Sequence, residues 1–287
     1  SGLVGSEMCI RDSNNIAYLE RIFETIDEPV TVKDAEHAIK MPKIRGKVTF
    51  DHVTFAYDET KTILKDVSFT VNPGESVALV GPTGAGKSTI VNLISRFYNV
   101  NDGKVLIDDQ DIADVTIHSL RAQMGIMMQD SFIFSGTIAD NIRYGKLDAT
   151  QEEIEKAGKI VCADPFIREM PKGYETQVRE RGSMLSQGQK QLISFARTLL
   201  CDPAILILDE ATSSIDVQTE KALQTGLNRM LKGRTSFIIA HRLSTIRGCD
   251  KIMYIDDGGI AEAGTHEELM KKKGRYYKLY TAQKSLH

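Results

Sequence analysis

Residues 75–89 read ESVALVGPTGAGKST. The first six, Glu75 to Val80, form a nearly all-apolar run too short for a typical helix and without alternation, which predicts a strand buried on both faces. The next nine, Gly81 to Thr89, fit G-x-x-x-x-G-K-[ST], and an apolar stretch beginning at Ile90 follows. Strand, glycine loop and helix in that order are the context in which the motif binds phosphate. The glycines let backbone N–H groups curl around the β- and γ-phosphates of a nucleotide, Lys87 adds a fixed positive charge, and the Ser88 hydroxyl is placed to ligate Mg²⁺. Gly81, Thr83, Gly84, Ala85, Gly86, Lys87, Ser88 and Thr89 are therefore candidate nucleotide-binding residues.

Three further strand ends carry chemistry. AILILDE, residues 204–210, drives an aliphatic strand into the sheet and ends on two acids. Asp209 is placed to hold Mg²⁺ through water, and Glu210 to orient and polarise an attacking water as general base. TSFIIAH, residues 235–241, sets His241 at the end of another buried strand, next to the Asp209 strand, where it could touch a γ-phosphate. A lone histidine in that position also has a purely structural reading. GIMMQDSFIF, residues 125–134, leads an apolar strand into Gln129, whose amide is either a Mg²⁺ or water contact or an ordinary loop residue. Tyr57 is a core-edge aromatic or a stacking plate for a nucleobase, and the residues alone leave both open.

In LSQGQ, residues 185–189, a polar turn opens a long amphipathic run, the arrangement by which a helix N-terminus holds an anion. Ser186, Gly188 and Gln189 are the candidate contacts. Gln187 stands where such a turn would ordinarily want freedom.

The chain has 287 residues, 41% of them hydrophobic, enough for one large α/β domain or two small ones. A net charge of -3 argues against a nucleic-acid partner. Cys9, Cys162, Cys201 and Cys249 are widely spaced without a CxxC pair, so neither zinc nor redox chemistry is indicated and reduced thiols are expected. No apolar run approaches the roughly 18 residues that cross a bilayer.

Along the chain, residues 1–13 are read as a non-native leader, because VGSEMCIRDS resembles translated adapter read-through. Ile16, Leu19, Phe23 and Ile26 have helical spacing, closed by Glu28-Pro29, and Thr31 to Lys43 reads as a linker. KVTFDHVTFAY and DVSFTV alternate as antiparallel strands with one buried face. Residues 131–200 are mostly helical by period. Buried strands alternating with helices predict a mostly parallel sheet covered on both sides.

Together these motifs resemble the nucleotide-binding domain of ATP-binding cassette (ABC) transporters of the exporter type, from Lys43 to the C-terminus. GPTGAGKST is similar to the Walker A loop, ILILDE to Walker B, Gln129 to the Q-loop, His241 to the switch histidine, and Tyr57 to the adenine-stacking A-loop. SSID resembles the D-loop, with Asp216 as its acid, and VRERG, residues 178–182, resembles the X-loop that touches a membrane domain. LSQGQ occupies the place of the LSGGQ signature. YLERIFETIDEP is similar to the tail of an exporter's last transmembrane helix and its linker, residues 14–42.

The resemblance implies a P-loop NTPase fold of RecA-like type: a mostly parallel sheet flanked by helices, an antiparallel β subdomain, and an inserted helical subdomain over about 131–203. It further implies ATP and Mg²⁺ as ligands, a fused transmembrane half on the N-terminal side, and a location on the cytoplasmic face of a membrane. Two such domains would clamp two ATP molecules head to tail, each between one domain's Walker A loop and the other's signature, to power export. Gln187 is then a tolerated variant, a mark of a weakened composite site, or an added contact to the partner's nucleotide. LSQGQ beside an intact Glu210 is similar to one subunit of heterodimeric bacterial exporters. The rival reading is a soluble ABC-type clamp without a membrane partner, set back by the absence of coiled-coil insertions.

Overall fold

The computed structural model describes residues 16–58, 60–127, 132–179, 182–209, 216–240 and 242–284. The chain divides into two units, residues 1–33 and 34–287. In the first, residues 16–26 form a helix, α1, on which Leu19, Ile22, Phe23 and Ile26 are exposed. Residues 34–43, expected as part of a linker, belong to the second unit. Ile39 bridges to Val115, Met41 and Ile44 are buried, and the Asp34 carboxylate accepts from the Ile117 N–H.

The second unit opens with β1 (Val48–Ala56), β2 (Thr62–Val71), β3 (Ser76–Val80), α2 (Lys87–Ile94), β4 (Asp102–Ile107) and β5 (Gln110–Asp111). After a 3₁₀ turn come α3 (Ile117–Arg121), β6 (Met124–Met127), β7 (Gly136–Thr137), α4 (Ile138–Arg143), α5 (Gln151–Ile160), α6 (Asp164–Glu169) and β8 (Gln177–Val178). The chain continues through α7 (Gln187–Leu200), β9 (Ile205–Asp209), α8 (Val217–Leu231), β10 (Thr235–Ile239) and α9 (Leu243–Gly248). It closes with β11 (Lys251–Asp256), β12 (Gly259–Gly264), α10 (His266–Lys272) and α11 (Arg275–Lys284).

The main sheet runs β12-β11-β3-β10-β9-β6, parallel from β11 to β6 with β12 antiparallel at one edge. The absence of alternation in ESVALV now has its cause. Val77 and Leu79 enter one core cluster, Ala78 and Val80 the other, because successive side chains point to opposite faces of a sheet covered on both sides.

The Val77/Leu79 face packs with α2 and with the antiparallel sheet β2-β1-β4-β5. Its alternating residues Val48, Phe50, Val53 and Phe55 are buried, and Phe50 stacks on Phe69 at 4.5 Å. The opposite face packs with α4–α8, where Ile138, Ile142, Ile154, Leu192, Phe195 and Leu223 share one cluster. Capping boxes start α4, α5, α7 and α10, through Thr137/Asp140, Thr150/Glu153, Ser186/Gln189 and Thr265/Glu268. Each satisfies two backbone donors that a helix start otherwise leaves orphaned. The parallel sheet, the antiparallel β layer and the helical insertion expected from the sequence are all present.

Candidate functional site

The chain leaves β3 at Gly81 with φ 139°, where an added Cβ would lie 2.1 Å from the Ile255 carbonyl oxygen. It enters α2 through Gly86 at φ 108°, an N-cap without a side-chain hydrogen bond, so the first-turn N–H groups of α2 are left for a ligand rather than a capping side chain. Lys87 folds back over this loop, its Nζ donating to the carbonyls of Gly81 and Pro82, both at 2.8 Å. Burial lowers the Lys87 pKa from the ordinary lysine value, and the Asp209 carboxylate opposes that shift. Ser88, Thr83 and Gly84 are exposed, whereas Thr89 is buried.

Parallel pairing gathers the other strand ends at the same edge of the sheet. Leu79, Ile239 and Asp209 lie in one row across β3, β10 and β9, and Leu208 pairs Met127 of β6. Asp209 is thus separated from the phosphate-loop strand by β10, yet its charge reaches Lys87. Glu210, His241 and Gln129 follow β9, β10 and β6 in sequence and themselves lie outside the described residues. In the X-loop stretch Glu180 and Arg181 do as well, while Val178 pairs with Gly136.

Tyr57 takes elements of both sequence readings. Phe55 and Tyr98 meet its ring edge-on, each at 4.9 Å between centroids, yet the residue is 47% exposed. Its hydroxyl lies 3.1 Å from Thr89 Oγ1 and accepts from Asn92 Nδ2 at 3.4 Å. The Tyr57 side chain is therefore tethered to α2, the helix that follows the phosphate loop. Asn92 escaped the sequence reading because nothing local links residue 92 to residue 57.

Ser186 is the N-cap of α7, Gln187 its first helical residue and Gly188 is buried in its first turn. Gln187 has no left-handed φ, so it bears none of the strain that a non-glycine residue would carry there. Asp216 caps α8, accepting from the Thr219 N–H at 2.9 Å, and hydrogen bonds from the Thr219 side chain first and its backbone second hold the Asp216 carboxyl below the usual range. Two more features were not legible in sequence. Arg242 pairs with Glu220, and a groove of about 240 Å³ beside Thr83 and Gly84 is flanked by Lys61 and by the Lys65–Asp257 ion pair.

A glycine loop closing a central parallel strand, with the next strand but one tipped by an acid, defines the site of a P-loop nucleoside triphosphatase. The family model for ABC transporters matches residues 64–213, more than half of the chain. The chain belongs to the ABC transporter family, as an ATP-binding domain of the kind that hydrolyses ATP.

It is 52% identical over 268 residues to the "Uncharacterized ABC transporter ATP-binding protein YfiC" of Bacillus subtilis, covering 93% of this chain and 44% of the relative. It is 46% identical to a "Fatty acid ABC transporter ATP-binding/permease protein" of Mycobacterium bovis, covering 94% and 42%. Among solved structures, a bacterial Atm1-family ABC exporter with ATP bound matches with TM-score 0.85 and 44% identity, over 94% of this chain and 47% of that one. The chain thus spans about half the length of the relatives it matches. Among the described residues no helix is long and apolar enough to cross a membrane, and no three His, Cys, Asp or Glu cluster as metal ligands.

Proposed function

We propose that this domain hydrolyses ATP to drive export of a substrate across a membrane, as the ATPase half of a longer transporter. The observation that carries the reading is the row of parallel strand ends that sets Asp209 within electrostatic reach of Lys87, beside a glycine loop built for phosphate. Lys87 leaves its carbonyl partners for the β- and γ-phosphates of ATP, and the N–H groups at Gly86 and along the first turn of α2 receive the remaining oxygens. Ser88, Asp209 and Gln129 are suited by their oxygen donors to hold Mg²⁺, which would neutralise developing charge on the phosphates. Glu210 polarises the attacking water, His241 contacts the γ-phosphate, and Tyr57 stacks on the base.

The second nucleotide-binding domain supplies the other wall. Ser186, whose oxygen accepts from the Gln189 N–H, keeps its own O–H to donate to a phosphate held by the partner, at a helix N-terminus whose dipole favours anions. Asp216 lies at the same interface. LSQGQ beside an intact Glu210 resembles one subunit of heterodimeric exporters and so favours a heterodimer, in which the variant signature serves the partner's ATP and leaves this chain's Glu210 site unaffected.

Residues 14–42 are assigned to the tail of the last transmembrane helix and its linker, of which 34–42 lie within the second unit, and about 131–203 to a helical subdomain that receives the membrane half. Exposed Phe132, Phe134, Tyr144 and Leu147 on that subdomain suit such a contact. Export is also what the Atm1-family relative is named for, and the Mycobacterium relative is named for fatty acids. Fractionating cells that produce the gene's complete product tests the reading. Co-purification with the membrane and ATP-dependent loss of a loaded cargo are expected, whereas an active ATPase recovered only from the soluble fraction would favour a clamp without a membrane partner.

A further inference from the structure

Three elements whose starts carry candidate ligand contacts meet at one polar junction. Arg242 occupies the N-cap position of α9 and directly follows His241 in the chain. Its Nη1 donates to both carboxylate oxygens of Glu220, at 2.7 and 2.6 Å. Glu220 sits one turn into α8, its N–H donating to the carbonyl of Asp216 at 2.9 Å. One turn further, Ser244 Oγ donates to Gln224 Oε1 at 3.1 Å, making a second link between the same two helices.

The junction also reaches α7. A cavity of about 20 Å³, the size of one water, is lined by Arg242, Gln224 and Gln191 among apolar side chains. Gln191 is 6% exposed and its Oε1 has no hydrogen-bond partner among the described residues. It lies five residues along the helix that Ser186 caps.

We infer that the Arg242–Glu220 pair is a positioning device that fixes the start of α8, with Asp216, against the segment that follows β10, with His241, so that both sides of the composite site move together. The inference rests on the proposed roles of Asp216 and His241. A partly buried charged pair suits this task, because both Glu220 oxygens meet one guanidinium nitrogen and the two segments cannot part without losing both contacts. Neither member belongs to the phosphate loop, so the pair acts on turnover through its neighbours and not on ATP affinity.

The test measures hydrolysis and fluorescent-ATP binding for Glu220→Gln, Arg242→Gln and the double variant of the full chain. The inference expects kcat to fall about tenfold in each single variant with ATP affinity within about twofold, a size common for off-site coupling positions. It also expects the double variant to fall by clearly less than the product of the two single effects, since the interaction they share is lost only once. Unchanged kcat with only a lowered melting temperature, or effects that multiply in the double variant, would overturn it. Should Glu220→Gln fail to fold, Ser244→Ala carries the test through the second link, with kcat expected to fall about threefold at unchanged affinity and unaltered kcat overturning the inference. Glu210→Gln run alongside separates the two levels: phosphate release that survives it removes the catalytic assignment, whereas its loss, together with an unaltered Glu220→Gln, removes only the coupling.

Discussion

Ser186 and Gln189 cap each other at the start of α7, the serine oxygen accepting from the Gln189 N–H at 3.2 Å and the glutamine oxygen accepting from the Ser186 N–H at 3.0 Å. Gln187 lies between them as an ordinary helical residue. Its bulk is therefore carried on the helix surface, and the backbone gains nothing from glycine there. Gln187→Gly is expected to change stability by roughly 0.5 kcal/mol or less and to leave this chain's own ATP affinity intact, whereas Ser186→Ala costs about 1 kcal/mol through the lost cap. Thermal melts and fluorescent-nucleotide titration check both. A Gln187→Gly variant stabilised by more than about 1 kcal/mol would mean that residue 187 is strained after all.

Gly81 admits no side chain. Its φ of 139° and the Ile255 carbonyl 2.1 Å from an added Cβ act together. Gly81→Ala is expected to destabilise by about 2–4 kcal/mol and to abolish ATP binding, because the loop must shift to relieve the clash. Denaturant melts with and without MgATP measure this, and a variant that still gains stability from the nucleotide would contradict the assignment.

Tyr57 offers an exposed ring held by its hydroxyl. If the ring stacks on the base, Tyr57→Ala loses about 1–3 kcal/mol of ATP affinity. Tyr57→Phe keeps the plate and loses only the tether, about 1 kcal/mol. Inorganic tripolyphosphate should bind both variants like the parent. Equal losses for ATP and tripolyphosphate would place Tyr57 outside base recognition.

Asp216, Asp140, Glu153 and Glu268 are helix-start carboxylates held below their ordinary pKa, led respectively by hydrogen bonds from Thr219, Thr137, Lys146 and Thr265. A depressed folded-state pKa means that the stabilisation is present above the ordinary carboxylate range near about pH 4 and is lost as pH falls through the lower folded value. Asp216→Asn preserves the cap acceptor and removes the titration. Its melting temperature should match the parent near neutrality and fall less steeply in acid, and parallel curves for the two proteins would refute the role of this carboxylate.

The phosphate loop was legible because its residue pattern is rare and its flanks, a doubly buried strand and an apolar helix, are independent signals. The buried strands β9 and β10 were legible for the same reason. What escaped the sequence are contacts made across distance. Ile39 and Met41 lie among polar residues and gave no period, yet both are held on the second unit. The two-residue strands β7 and β8 are too short to show alternation. Arg242 and Glu220 are ordinary charged residues until the fold brings them together. Gln187 is awkward only in a turn, and the Ser186/Gln189 capping box commits it to helix.

The central claim, that this domain hydrolyses ATP with Glu210 polarising the attacking water, is tested most directly by phosphate release from MgATP by the parent chain and by Glu210→Gln, paired with nucleotide binding by both. Sustained release by the parent, loss of at least about a hundredfold in the variant and equal ATP affinity are the predicted results. Release by Glu210→Gln at a rate near that of the parent would contradict the account.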